Sequence, residues 1–234
     1  MSISRPYTWL LFDADDTLFD YDQAEGVSLS GAFAQFGVPY SPEALPLYRR
    51  INDQMWEAFE RGQITQAALA TRRFEILFET LGLPAPPPTF SAAYLEHLGR
   101  CAFLIDGAEA VLRALQPRYR LAILTNGLKA VQRSRLERSA IRDCFTEVII
   151  SEEVGAAKPD AAFFDLAFER LGWPAKTEAL MIGDSLTSDM RGASRYGLDT
   201  CWYNPTRQPP PADIALTYEI AALEELIALL GRSA

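Results

Sequence analysis

Four short polar clusters in this chain hold side chains that can do chemistry. Asp13 and Asp15, in Phe12-Asp13-Ala14-Asp15-Asp16, are carboxylates two residues apart. Carboxylates aimed at one pocket repel each other and call for a cation or a shared proton. Thr125-Asn126-Gly127 offers a hydroxyl and main-chain N–H groups of the kind that cradle a phosphate at a helix start. Lys158, fixed by the following Pro159, is a point charge able to offset anionic oxygens. Gly183-Asp184-Ser185-Leu186-Thr187-Ser188-Asp189 adds two more acids. Oxygen ligands drawn from separate segments suit a hard cation such as Mg2+, which binds one or two carboxylates together with phosphate. Singly, each cluster also fits a plainer role: a solvated turn, an N-cap or a surface lysine.

The clusters gain meaning from the elements that precede them. Tyr7–Phe12 is a short apolar and aromatic run that stops at Asp13, the profile of a buried central strand ending in a polar loop. Leu121–Leu124 stands likewise before Thr-Asn-Gly, and Leu180–Ile182 before Gly-Asp-Ser. Val148–Ile150 and Thr200–Tyr203 are further runs of the same kind. Between them, Ala108, Val111, Leu112 and Leu115 keep helical spacing, as do Phe164, Ala167, Phe168 and Leu171. Ile220, Leu223, Ile227 and Leu230 predict a helix over the C-terminal segment. Strands alternating with helices imply βαβ units and a mostly parallel, Rossmann-like sheet. Ligands of such sheets bind beyond the carboxyl ends of the strands. All four clusters fall at or close after predicted strand ends, a conjunction that separate accidents do not easily produce.

One region breaks the alternation. Residues 21–104 show helical patterns and no convincing strand, with the proline run Pro84-Ala85-Pro86-Pro87-Pro88 between two of the helices. The chain thus reads as an α/β core, residues 1–20 and 105–234, carrying an all-helical insertion over 21–104. A length of 234 residues suits one core with such an insertion.

Bulk properties narrow the partners. A net charge of −9 argues against a nucleic-acid polymer, although a bound cation reverses the local sign of an acidic pocket. No stretch approaches the ~18 apolar residues needed to span a membrane. The N-terminus, with acids interrupting its short apolar run, reads as neither leader nor anchor, and the expected location is cytoplasmic. Cys101, Cys144 and Cys201 lie far apart and fit neither a disulfide framework nor a thiolate metal site. The single histidine, His97, sits at helical spacing away from any acidic cluster. Carboxylates, lysine and hydroxyls are therefore left to run the chemistry.

The four clusters, in this order and spacing and with a helical insertion after the first, resemble the motifs of the haloacid dehalogenase-like (HAD) superfamily of hydrolases. The resemblance spans the whole chain and implies the HAD fold with an inserted helical cap that sets substrate specificity. It implies a Mg2+-dependent phosphatase in which Asp13 is the nucleophile, forming an aspartyl-phosphate. Asp15 would protonate the leaving oxygen and then activate water. Thr125 and the adjoining amide of Asn126 would hold phosphoryl oxygens, with Lys158 offsetting charge on the nucleophile and the transferring group. Asp184 would bind Mg2+ together with the Asp13 carboxylate and the Asp15 main-chain carbonyl. Asp189 would act from behind, orienting Lys158 or water at the metal. Dehalogenases of the superfamily lack the second acid of the first motif, so Asp15 points to phosphoryl transfer.

At finer grain, Asp13-Ala14-Asp15-Asp16-Thr17-Leu18-Phe19-Asp20-Tyr21, Ile150–Gly155 and Cys201-Trp202-Tyr203-Asn204 resemble bacterial pyrimidine 5′-nucleotidases of the YjjG type. That likeness implies a (deoxy)pyrimidine nucleoside monophosphate, such as dUMP or dTMP, as substrate. Many superfamily members carry glycine where this chain has Asp16. Tyr21, Phe33, Phe36, Tyr48, Trp56 and Phe59 are the aromatic candidates for stacking on a base, or else form the cap's own core. A phosphatase of phosphoglycolate or of a sugar phosphate is the alternative. A receiver-like phospho-acceptor domain is a more remote one, because receivers place the acceptor at a mid-chain strand and lack such an insertion.

Overall fold

The fold was obtained as a computed structural model in which residues 7–86 and 88–231 are described. The first six residues, where the N-terminus is read above as no leader or anchor, lie outside that range, as do Pro87 of the proline run and residues 232–234.

Six strands form one parallel sheet: β1 (Trp9–Phe12), β2 (Arg120–Thr125), β3 (Glu147–Ile150), β4 (Ala179–Gly183), β5 (Asp199–Tyr203) and β6 (Tyr218–Ile220), in the spatial order β3-β2-β1-β4-β5-β6. The chain builds outward from β1 to β3, then returns to lay β4 on the other side of β1. The topological switch point therefore lies between β1 and β4, where open α/β sheets bind their ligands.

The apolar runs are continuous because both faces of the sheet are covered. Side chains of β1 alternate between two cores. Leu10 and Phe12 pack with α5 (Ala108–Leu115) and α10 (Glu225–Leu230). Trp9 and Leu11 pack with α8 (Ala161–Leu171) and α9 (Arg191–Tyr196). The helical spacing of Val111, Leu112 and Leu115, and of Phe164, Ala167, Phe168 and Leu171, is the spacing of these buried faces. The same α/β unit also carries the α-helix α6 (Lys129–Arg138) and the single turn α7 (Ser151–Val154).

The C-terminal segment differs from expectation. Ile220 ends strand β6, paired in parallel with β5, and the helix begins only at Glu225. A three-residue edge strand is too short to show a period of its own. Ile220 and Leu223 instead fell by chance on the helical spacing of the residues after them, and both pack in the same core as Leu226 and Leu230.

The described residues fall into two compact units: those up to Tyr21 with those from Ala102 onward, and Asp22–Cys101. The division lies slightly inside the expected insertion of 21–104. Its cause is that the two connecting segments pair with each other in the α/β unit. Phe19 bridges Leu104 in antiparallel fashion, the Asp20 N–H donates to the Phe103 carbonyl at 3.1 Å, and the Ile105 N–H donates to the Leu18 carbonyl at 2.9 Å.

The second unit consists of helices α1 (Tyr21–Gln35, from its second residue), α2 (Ala44–Glu60), α3 (Gln66–Thr80) and α4 (Phe90–Arg100). Its core is aromatic: Phe33 meets Phe78 and Phe90, and Tyr48 stacks on Phe74 and leans on Tyr94. Phe33, Phe36 and Tyr48 thus belong to the helical unit's own packing, while Trp56 and Phe59 form a half-buried edge-to-face pair on α2. His97 bonds Gln35 at 2.9 Å and so ties α4 to α1. Among the described residues no helix is long and apolar enough to cross a membrane.

Candidate active site

Parallel strands end on one side of a sheet, and β1, β2 and β4 are neighbours. Asp13, Thr125 and Gly183-Asp184 are therefore delivered to the same edge by register alone. The Asp13 N–H extends the ladder, donating to the Ile182 carbonyl at 2.8 Å.

Lys158 is the hub. It precedes α8, whose N-cap is Asp160, and is 1 % exposed. Its Nζ donates to Asp13 Oδ1 at 2.5 Å, to Asp189 Oδ1 at 2.6 Å and to the Leu124 carbonyl at 2.6 Å. An ammonium has three protons to give, and these acceptors use all of them. Its main chain is gripped by Asn126: Nδ2 donates to the Lys158 carbonyl and Oδ1 accepts the Lys158 N–H, both at 2.8 Å. The Asn126 side chain is therefore turned to Lys158, and a phosphate-holding role for this residue rests on its main-chain N–H. Thr125 is buried and its hydroxyl accepts the Gly127 N–H at 3.0 Å, shaping the loop after β2.

Asp184 is fixed from two sides. The Thr17 hydroxyl donates to its Oδ1 and accepts its N–H, each at 3.1 Å, and the Trp202 indole donates to its carbonyl at 2.9 Å. Asp189 is fully buried and lies in a π-helical turn, Leu186–Met190, whose N-cap is Ser185. Besides Lys158, it accepts the Ser185 N–H on Oδ2 at 3.2 Å. A Cβ on Gly183 would stand 2.3 Å from that Oδ2, so only glycine lets Asp189 close over the end of β4.

The Asp15 carboxylate is held from α6. Its Oδ1 takes a short ion pair from Arg135, and its Oδ2 accepts from Gln132 Nε2 at 2.6 Å. The turn between Asp15 and Phe19 is closed by Asp16 N–H to Phe19 O and Phe19 N–H to Ala14 O, both 2.8 Å, so neither bond uses the Asp15 carbonyl. Asp16 stands at a φ of 55°, a left-handed conformation that Asp tolerates better than most residues, and its Oδ1 accepts the Tyr21 N–H at 3.1 Å.

The structure thus brings Asp13, Lys158, Asp184 and Asp189 together, with Thr125 and Asn126 on the adjoining strand end. Carboxylate oxygens of Asp13, Asp184 and Asp189 lie within 4.8 Å of one another. Among the described residues Lys158 is the only cation paired with this trio, so ionisation of all three carboxyls leaves two negative charges unmatched. Burial pushes the Asp13 carboxyl up to about 8 against the pull of Lys158, with Asp189 and Asp15 adding to the rise. Asp184 is also raised, by burial and by Asp13 and Asp189. Lys158 is raised despite burial, because Asp13 and Asp189 hold its charge. An oxygen donor set with surplus negative charge fits a hard divalent cation. Asp189, with both oxygens already engaged, fits a supporting place behind the ligands.

Four contributors are not evident from the motifs. Gln132 and Arg135 sit on α6 within a strongly basic stretch that reads as solvated surface, yet both are buried. Their three-residue spacing beside apolar Val131 and Leu136 was the available signal. Thr17 and Trp202 act on Asp184 through long-range contacts that no local pattern announces.

A parallel sheet with this arrangement at its switch point defines a class, and the match in sequence agrees. The chain belongs to the haloacid dehalogenase-like hydrolase family, whose model matches residues 7–197. Among individual proteins, it is 38% identical to the HAD-hydrolase YfnB of Bacillus subtilis over 97% of each chain. A crystal structure of YfnB bound to magnesium superposes with a TM-score of 0.91, covering 96% of this chain and 98% of that one. The pyrimidine 5′-nucleotidase YjjG of Escherichia coli is 37% identical over 96% of this chain and 98% of its own. The pyrimidine 5′-nucleotidase PynA of Streptococcus pneumoniae is 34% identical over 97% and 96%.

Proposed function

We propose that this hydrolase is a Mg2+-dependent phosphatase of pyrimidine nucleoside 5′-monophosphates, dUMP and dTMP among them, working through an aspartyl-phosphate on Asp13. The observation that carries the mechanism is the Lys158 ammonium bonded at once to Asp13 and Asp189, beside Asp184 at the end of the neighbouring strand. The substrate class is supported by the likeness to YjjG and PynA over nearly the full length of each.

Asp13 and Asp184, with the Asp15 carbonyl, are the residues that would hold Mg2+, which supplies positive charge against the phosphate oxygens when bound. A carboxylate nucleophile meets repulsion from an anionic phosphate, and Lys158 lowers it by fixing a positive charge on Asp13. Asp13 takes the phosphoryl group while Asp15 gives a proton to the departing oxygen. Asp15 then draws a proton from water as that water attacks phosphorus and frees Asp13. The Thr125 hydroxyl and the adjoining main-chain amides orient the phosphoryl oxygens. The helical unit Asp22–Cys101 takes the role of choosing the substrate. The free state of all three cysteines accords with a cytoplasmic setting.

The test is phosphate release from a panel of dUMP, dTMP, UMP, AMP, phosphoglycolate and sugar phosphates, with Mg2+ and with EDTA. Metal-dependent release that peaks at pyrimidine nucleotides is the expected result. A peak at phosphoglycolate or a sugar phosphate overturns the nucleotidase assignment and keeps the mechanism.

A further inference from the structure

Asp15 needs more than its place in the chain to serve as acid and base. It sits in the loop after β1 with its side chain 28% exposed, and a carboxylate so placed is free to rotate unless something holds it. The holders are on α6. Arg135, with no exposed side-chain surface, pairs with Oδ1, and its guanidinium lies over the Phe19 ring with its carbon 4.5 Å from the centroid. Gln132 donates to Oδ2 at 2.6 Å. The two residues are three apart on one helix, so both reach the same carboxylate from one rigid element.

Gln132 also accounts for Gly127. That glycine is not among those with positive φ, so its backbone conformation does not demand it. A Cβ there would stand 2.1 Å from Gln132 Nε2 and 2.8 Å from its Cγ and Cδ. Glycine at this position makes room for the amide that grips Asp15, and so couples the loop after β2 to the loop after β1.

We propose that Arg135 and Gln132 are positioning residues that set the Asp15 carboxyl for proton exchange at the leaving oxygen. The inference rests on the hydrolase reading above. A carboxylate has about four acceptor sites, and these two donors fix its plane while leaving sites for the reacting proton. In the first step the bond from Asp13 Oδ to phosphorus forms as the ester P–O bond breaks. The bonding pair goes to the leaving oxygen, which takes the Asp15 proton. In the second step water attacks phosphorus, its proton goes to Asp15, and the pair of the breaking bond returns to Asp13. Only the first step depends on how well the leaving oxygen bears charge. An aryl oxide departs without protonation, whereas a sugar alkoxide does not.

The test is single-turnover release of the leaving group, with Mg2+, from a nucleoside monophosphate and from p-nitrophenyl phosphate. Gln132→Met and Arg135→Met are compared with Asp15→Asn and with the double variant Asp15→Asn/Gln132→Met, folding being checked by circular dichroism. Gln132→Met keeps the test open should Arg135→Met not fold. The expected result is a loss of about 10- to 100-fold on the nucleotide against less than about threefold on the aryl ester. Gln132→Met should add nothing in the Asp15→Asn background. Equal losses on the two esters, or a full further loss in the double variant, overturn the proposal while leaving the hydrolase reading intact. A wild-type protein that cleaves neither ester overturns that reading and the proposal with it.

Discussion

Asn126 clasps the main chain of Lys158, donating from Nδ2 to its carbonyl and accepting its N–H on Oδ1, each at 2.8 Å. The two residues are 32 apart in sequence, and the clasp fixes where the lysine enters the site. Without it, the ammonium would have to find Asp13 and Asp189 from a loosened backbone.

Asn126→Ala is accordingly expected to reduce kcat by at least about tenfold, since small misplacements of reacting groups weigh heavily. Thermal unfolding should register a loss of roughly 1–3 kcal/mol from the two orphaned main-chain groups. Asn126→Asp should not rescue, because it keeps the acceptor but sets a carboxylate oxygen against the Lys158 carbonyl. A near-wild-type kcat in either variant would contradict this role.

The crowding of Asp13, Asp184 and Asp189 predicts linkage between metal and stability. Mg2+ at about 100 times its Kd should stabilise the wild type by roughly 2.7 kcal/mol. Differential scanning calorimetry should show Tm rising with Mg2+ in the wild type and much less in Asp184→Asn. Equal rises in both proteins would remove Asp184 from the ligand set.

Much of this arrangement was legible beforehand, for a physical reason. A buried parallel strand is a continuous apolar run, and its end is marked wherever a polar residue stops it. Asp13, Thr125 and Asp184 could be placed at one sheet edge from those stops alone. Lys158 could be placed near them because Pro159 and Asp160 mark a helix entrance. Residues that act across the fold were not legible. Gln132 and Arg135 look like solvated helix surface until Asp15 is set beside them. Thr17 reads as part of a turn and Trp202 as a strand aromatic until Asp184 lies between them. Tyr218–Ile220 was missed because an edge strand of three residues leaves no period to read.

The helical unit carries its own pH dependence. Glu25 is buried against Arg49 Nε at 2.9 Å and Asn52 Nδ2 at 3.3 Å, and Asn52 in turn accepts from Arg73 at 2.8 Å. Burial raises the Glu25 carboxyl from 4.5 to about 7, against the pull of Arg49. A raised carboxyl holds its proton more tightly folded than unfolded, so its effect on stability is most favourable below pH 4.5 and declines as pH rises towards about 7. Glu25→Gln lacks this decline. The Tm of Glu25→Gln minus that of the wild type should therefore grow between about pH 5 and about pH 8. A constant or shrinking difference would contradict the assignment.

The most direct test of the central claim is acid-quenched turnover of labelled dUMP with Mg2+, followed by assay of protein-bound phosphate and mapping of the labelled peptide. Wild-type protein should carry label on the peptide holding Asp13. A folded Asp13→Asn variant should carry none and release no phosphate above background. Near-normal turnover by folded Asp13→Asn, or label mapping to another residue, would contradict the assignment of Asp13 as the nucleophile.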